Sequence, residues 1–277
     1  VQERLDDFAW ENDKVGHRTY GPALAAPAPE GSGKEVLVTS GMDIWHKRVA
    51  YPIVDRWYNK GHDHYHHDEG EGMDMYNVGK SRGAGGTGIW AGGTLYTSVN
   101  YASWKVIANG PVRAIFELNY DAWDAAGTKV SEVKRFTVDA GHYFDQIEST
   151  FTFTGPQQLT AAVGLNKTPA DKGQEAVITP STVPADRSMI QWIEQKSNGA
   201  FGTAVIVPTA DEKGYAEDKL NTLMLAKVIS GQPLRYYVGS GWTRGGDFAT
   251  RDDWQKYVAA QAARVRSPVS VTLGKSN

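Results

Sequence analysis

The sequence predicts an all-β fold, a large antiparallel β-sandwich with a few short helices. Three observations predict it. Apolar and polar residues alternate with a period of two along most of the chain. The alternating runs are rich in Val, Ile, Phe, Tyr and Thr, and Gly, Asn or Asp bounds each of them. Their spacing fits a meander of antiparallel strands rather than βαβ units.

Taken in order, residues 22–35 (PALAAPAPEGSGKE) are rich in Pro, Ala and Gly and read as a long loop. Residues 43–58 carry Trp45, Val49, Ile53 and Trp57 at four-residue steps, which predicts a helix that Pro52 kinks or shortens. Strands are expected at 94–101 (TLYTSVNY), 112–120 (VRAIFELNY), 131–138 (SEVKRFTV) and 145–155 (DQIESTFTFTG). The series continues at 159–167, 202–208, 222–228 and 234–242, with exposed connections at 166–174 and 209–219. Residues 250–266 predict a helix. Thr250 is its N-cap, Asp252 and Asp253 occupy its first turn, and Arg264 and Arg266 its last. Trp254, Val258, Ala262 and Val265 share one face.

A chain of 277 residues is long enough for a sizeable core, and it reads as one domain over 1–277. It contains no cysteine, which excludes disulfides, thiolate catalysis and Cys-ligated metals. A net charge of -3 without a basic stripe leaves no nucleic-acid footprint, so an anionic substrate must meet local cations. No apolar run approaches the ~20 residues of a membrane span, and no signal peptide is legible. The abrupt start, VQERLDDFAWEND, reads as a mature or trimmed form of a secreted or periplasmic protein. The nine Trp and thirteen Tyr include candidates for stacking on sugar rings, although core packing accounts for most of them.

Residues 58–90 do not read as scaffold. His62, His64, His66 and His67 crowd there with Asp63, Asp68, Glu69, Glu71 and Asp74, punctuated by glycines and closed by Trp90. Such a run suits neither helix nor strand, and long irregular segments in a domain often carry function. Three readings compete: a metal site, with His64, His66 and Glu71 as candidate ligands of a divalent ion; general acid–base catalysis by His66 or His67; and a solvated, charged loop. Residues 79–88 (GKSRGAGGTG) lack the ending and the context of a phosphate loop. Arg82 within them is a candidate bidentate grip on a carboxylate, or simply a surface arginine.

A second cluster lies at 10–24. On a strand, Arg18 and Tyr20 share a face and His17 takes the other, pairing a phenol with an anion anchor. An ordinary polar edge strand would look the same. His46, Lys47 and Arg48 add a cationic patch or the wet face of a short helix. Lys167, at a strand end, and Tyr237, Trp242 and Arg244, among glycines, are further candidates for holding a sugar. No Gly-x-Ser-x-Gly elbow occurs, and no carboxylate pair can be singled out.

The segments ERLDDFAWENDKVGHRTYGPAL, SGMDIWHKRVAYPIVDRWY, HHDEGEGMDMYNVGKSRGAGGTGIW and PLRYYVGSGW resemble an uncharacterised-domain family of bacterial polysaccharide-utilisation loci. Its members are often labelled unsaturated glucuronyl hydrolases. The family is similar to the oligosaccharide dehydratases of ulvan breakdown. That resemblance covers nearly the whole chain and implies a supersandwich of galactose-mutarotase-like type. It also implies removal of water across C4–C5 of a non-reducing-end uronic acid, leaving a 4,5-unsaturated sugar. Members carry extra sequence before ERLDDFAWEND, and a missing first strand or cleaved leader would explain its absence here.

Such an elimination needs a cation at the carboxylate, a base for the C5 proton and an acid or metal for the 4-hydroxyl. The expected catalytic residues are His17, Tyr20, His66 and His67. The expected substrate contacts are Arg18, Arg82, Trp90, Lys167, Tyr237 and Trp242, with an acidic oligosaccharide as partner. A lyase or uronyl hydrolase of the same pathway, a non-catalytic sugar-binding module and a mutarotase-like isomerase are the alternatives.

Overall fold

The structure is a computed structural model and describes residues 4–170, 175–210 and 214–270. The chain begins with β1 (Phe8–Glu11), β2 (Val15–Thr19), helix α1 (Pro22–Ala25), β3 (Met42–Lys47), α2 (Val54–Lys60), α3 (His62–Tyr65) and β4 (Gly72–Asp74). Then come β5 (Ala84–Ala91), β6 (Thr94–Tyr96), β7 (Ser103–Asn109), β8 (Arg113–Ala125), β9 (Thr128–Asp139), β10 (Phe144–Phe153) and β11 (Leu159–Asn166). The last elements are β12 (Ala176–Val183), β13 (Ser188–Gln195), β14 (Gly199–Ile206), β15 (Tyr215–Glu217), β16 (Asn221–Val228), β17 (Pro233–Trp242) and α4 (Arg251–Arg266).

These strands make a four-stranded sheet (β1-β2-β3-β4), an eight-stranded sheet (β12-β13-β14-β17-β10-β9-β8-β7) and a five-stranded sheet (β15-β16-β11-β5-β6). Neighbouring strands pair antiparallel throughout, as in β10 with β17. The expected all-β antiparallel sandwich is therefore what forms. Phe116, Phe136, Ile147, Phe151 and Val238 of the eight-stranded sheet share one core with Ile89, Val163 and Met224 of the five-stranded sheet. Trp10, Val15 and Ile44 bring the four-stranded sheet into that core. Alternation drives this arrangement: every second residue of β9 from Val130 to Val138 is buried. Each large apolar side chain so buried contributes about 2 kcal/mol.

Helix α4 forms where the sequence places it, with Thr250 and Asp253 completing a capping box. Its Trp254, Val258 and Ala262 cover the outer face of the eight-stranded sheet beside Phe144, Trp192 and Phe248. Trp254 seats on Gly202, where a Cβ would lie 2.2 Å from the indole. Among the described residues no helix is long and apolar enough to cross a membrane.

Several expectations need correction. Residues 43–58 are not one helix. Strand β3 ends at Lys47 and α2 starts at Val54, because Pro52 cannot continue a helix from its N-terminal side. His46 and Lys47 are accordingly buried strand residues rather than a wet helix face. The Gly-rich end of 58–90 is a strand after all, β5, in the middle of a sheet. Its glycines permit close packing: a Cβ on Gly85 would strike Val238, and one on Gly88 the Tyr96 carbonyl. The 94–101 run is regular only over β6. The connections at 166–174 and 209–219 fall partly outside the described residues.

Candidate functional site

Strand β2 separates His17 and Arg18 onto opposite faces, as its alternation requires. His17 points inward between the sheets. Its Nδ1 donates to the Asp43 carbonyl at 3.2 Å, its Nε2 lies 3.5 Å from Asp145 Oδ2, and its ring stacks on Trp10. Trp10 Nε1 donates to the same Asp145 carboxylate at 2.7 Å, and burial pushes that carboxyl above its usual range. Next to it His46, also inward, meets Ser240 Oγ at 2.8 Å. The Ser240 hydroxyl donates to the Gly202 carbonyl, so His46 Nε2 carries the proton in that pair. Burial, with His17 nearby, drives His46 down to about 3.

Arg18 points the other way, under α2 and α3. Its Nε donates to Asp43 Oδ2 at 2.7 Å and its Nη2 to Asp74 Oδ2 at 3.0 Å. Asp43 is its direct cross-strand partner on β3, and Asp74 sits opposite Trp45 on β4. Nη1 faces Asp7 Oδ2 at 3.8 Å, beyond hydrogen-bond length. The guanidinium lies 5.4 Å from the rings of Tyr20 and Trp45 and 5.9 Å from Tyr65. Trp45 is stacked between Trp57 and Tyr65, so the two short helices close over the cation. His66 Nδ1 donates to the Asp74 carbonyl at 3.0 Å, which fixes the orientation of the ring.

Three carboxylates around one guanidinium make a surplus of negative charge in a dry place. Burial pushes Asp7 up to about 6 against the pull of Arg18. It raises Asp43 as well, and lifts the Tyr20 and Tyr58 phenols above their ordinary range. The cluster therefore holds a carboxyl that keeps its proton up to about pH 6, with two protonated phenols, beside a permanent cation.

Arg18, Tyr20 and His66 are brought together; the remaining candidates are dispersed. His67 is exposed two residues beyond Tyr65. His64 pairs with Glu69 at 2.9 Å, while Glu71 accepts from Tyr51, Arg56 and Trp57. The three candidate metal ligands thus do not meet, because 62–65 is helical rather than extended. The His62 side chain lies outside the described atoms. Among the described residues no group of three His, Asp or Glu is placed to hold a metal ion.

Arg82 is buried elsewhere. It donates to Ser40 Oγ at 2.8 Å and more weakly to Thr39 Oγ1 and the Thr87 carbonyl, and burial lowers it to about 10. It shares no hydrogen-bond partner with Arg18. Trp90 faces Leu95 at the end of β5. Lys167 pairs with Glu217 at 2.9 Å. Tyr237 donates to Gln146 on the outer face, and Trp242 is buried with its Nε1 on the Asn198 carbonyl.

Asp7, Asp43, Tyr58 and Tyr65 belong to the site and were not singled out by sequence. The missed signal is periodicity on β3. Asp43 and Trp45 alternate with Ile44 and His46, so the acid takes the outer face directly across from Arg18.

Among solved structures, the chain is similar to the galactosidase domain of alpha-galactosidase-sucrose kinase, with TM-score 0.35 and 10% identity. That match covers 87% of this chain and 41% of the other, so the chain spans about two-fifths of its length. A galactose mutarotase related enzyme from Lactobacillus acidophilus matches with TM-score 0.30 and 7% identity over 86% of this chain and 98% of the other. Neither likeness bears on activity. "Uncharacterized protein P7" of Formosa agariphila is 33% identical over 282 residues, 99% of this chain and 68% of that protein. The family model matching residues 1–271 is "Domain of unknown function (DUF4861)", and the chain belongs to that family.

Proposed function

We propose that this protein is an oligosaccharide dehydratase, a hydro-lyase that removes water across C4–C5 of a non-reducing-end uronic acid. The observation that supports it most is the convergence of Arg18, Tyr20 and His66, from distant parts of the chain, on one dry cluster with Asp7 and Asp74. In this reading Arg18 uses Nη1 to neutralise the uronate carboxylate, its other nitrogens being fixed by Asp43 and Asp74. A neutralised carboxylate makes the C5 proton acidic enough for His66 Nε2 to remove. The electron pair forms the C4=C5 bond, and the 4-hydroxyl leaves as water with a proton from Asp7, whose value near 6 suits that task. The product is a 4,5-unsaturated uronyl oligosaccharide of unchanged chain length. A periplasmic or secreted location fits such a substrate.

The test is incubation with saturated, uronate-ended oligosaccharides. Absorbance in the enol-ether band should rise, and mass should fall by one water. No rise and no such mass loss would overturn the proposal, and shortened chains would mark a lyase or hydrolase instead.

A further inference from the structure

An open cavity of about 510 Å3 adjoins this cluster, lined by residues 6–9 on one side and 101–104 on the other, with Pro22. Asp7 belongs to both: it lines the cavity, and its carboxylate is 3.8 Å from Arg18 Nη1. Trp104 stands on the far wall with 56% of its surface exposed. Its ring lies 5.7 Å from that of Phe8, which meets Tyr101 edge-on at 6.3 Å. A propped, solvent-facing indole is suited to the apolar C–H face of a pyranose.

The near wall is built at a conformational cost. Leu5 and Asp6 both take left-handed backbone angles, φ 54° and 63°. For residues with a Cβ that costs about 1 kcal/mol each or more, so the surroundings must impose it. They do so from two sides. Gly21 packs on the turn so closely that a Cβ there would fall 2.2 Å from the Asp6 carbonyl carbon. Tyr101 donates its hydroxyl to the Asp6 carbonyl. The turn turns Asp6 outward, exposed at the rim. A hydroxyl-binding carboxylate thus stands beside an aromatic plate in a cavity of ligand size.

We infer that this cavity is the subsite for the sugar ring next to the terminal uronate, with Trp104 as its stacking platform. The inference rests on the dehydratase reading for what sits at Arg18, but the subsite itself requires only an oligosaccharide. The ring at Arg18 and the ring on Trp104 are neighbours in one chain, joined across Asp7.

Trp104→Ala tests it, since an exposed indole on β7 can be removed without emptying the core; thermal unfolding and circular dichroism of the variant should match the parent. With a methyl glycoside of the uronic acid, which fills only the Arg18 side, KM should be unchanged. With uronate-ended di- and trisaccharides, KM should rise about tenfold while kcat stays within about twofold, the signature of lost stacking that is equal in the ground and transition states. Calorimetric binding of the same oligosaccharides gives a readout that needs no turnover, and affinity should drop by the same factor. Turnover by the parent with an unchanged KM in the variant would remove the subsite and leave the dehydratase standing. Trp104-dependent binding without water loss would keep the subsite and remove the dehydratase. No binding by the parent would remove both.

Discussion

Arg18 and Asp74 are 56 residues apart in the chain and 3.0 Å apart in space. Asp74 does two things at once: its carboxylate fixes the Arg18 guanidinium, and its main-chain carbonyl fixes the His66 ring. Cation and imidazole are therefore set relative to one another by a single residue of β4. Asp74→Ala keeps the carbonyl and removes the carboxylate. Arg18 then loses a buried partner, and stability should fall by about 3 kcal/mol in urea unfolding. Dehydration should fall by about a hundredfold, since the cation is no longer held in place.

His66 and His67 separate cleanly. His66 is anchored to the cluster, whereas His67 is exposed beyond it. His66→Ala should abolish most turnover, on the order of a hundredfold or more for a lost general base. His67→Ala should stay within about threefold of the parent. Equal losses in kcat for both variants would contradict the placement of His66.

Asp7 carries a trade-off that pH exposes. Its folded value near 6 lies above the ordinary 3.8, so the folded chain holds the extra proton between those limits. Stability from this group is present at low pH and is lost as pH rises from about 4 to 6. Asp7→Asn should unfold at higher denaturant than the parent above pH 6, by up to about 3 kcal/mol. The same variant should not dehydrate, and in the parent kcat/KM should decline above pH ~6 as the acid loses its proton.

His46 has the opposite sign. Its folded value of about 3 lies below the ordinary 6.5, so the unfolded chain takes up the proton first. Stability is complete above pH ~6.5 and is lost as pH falls, by at most about 1.4 kcal/mol per pH unit. Denaturant midpoints measured from pH 7 down to 4.5 should show this slope. His46→Gln, which retains a donor for Ser240, should flatten it.

The sheet architecture was legible because alternation is enforced wherever one face of a strand is buried. β9 obeys it over its full length, β8 as far as Tyr120, β10 from Asp145 onward and β17 as far as Val238, and α4 announced itself through its cap and its charges. β5 was hidden because its glycines, chosen for tight approach to neighbours, have no side chains to alternate. Residues 43–58 misled because a strand, a turn and a short helix together mimic four-residue steps. In the site, Arg18, Tyr20 and His66 could be found by residue type and shared strand face. Asp7 could not: its proximity to Arg18 depends on a left-handed turn that β1 and Gly21 create together. His17 and Arg82 have suitable chemistry, but both are buried away from the Arg18 cluster, His17 on the opposite face of β2.

The order of strands in the eight-stranded sheet has a consequence for how the molecule is made. β17 lies between β14 and β10, joining a four-strand meander formed early in the chain to a three-strand meander formed later. Until residues 233–242 leave the ribosome, those two half-sheets each expose a long open edge at what becomes the centre of the protein. Completion of the sheet is thus a late event that closes contacts over large sequence separations, which makes folding slow and leaves the nascent chain dependent on protection from self-association. Truncation before β17 would leave two separate half-sheets rather than a smaller sandwich.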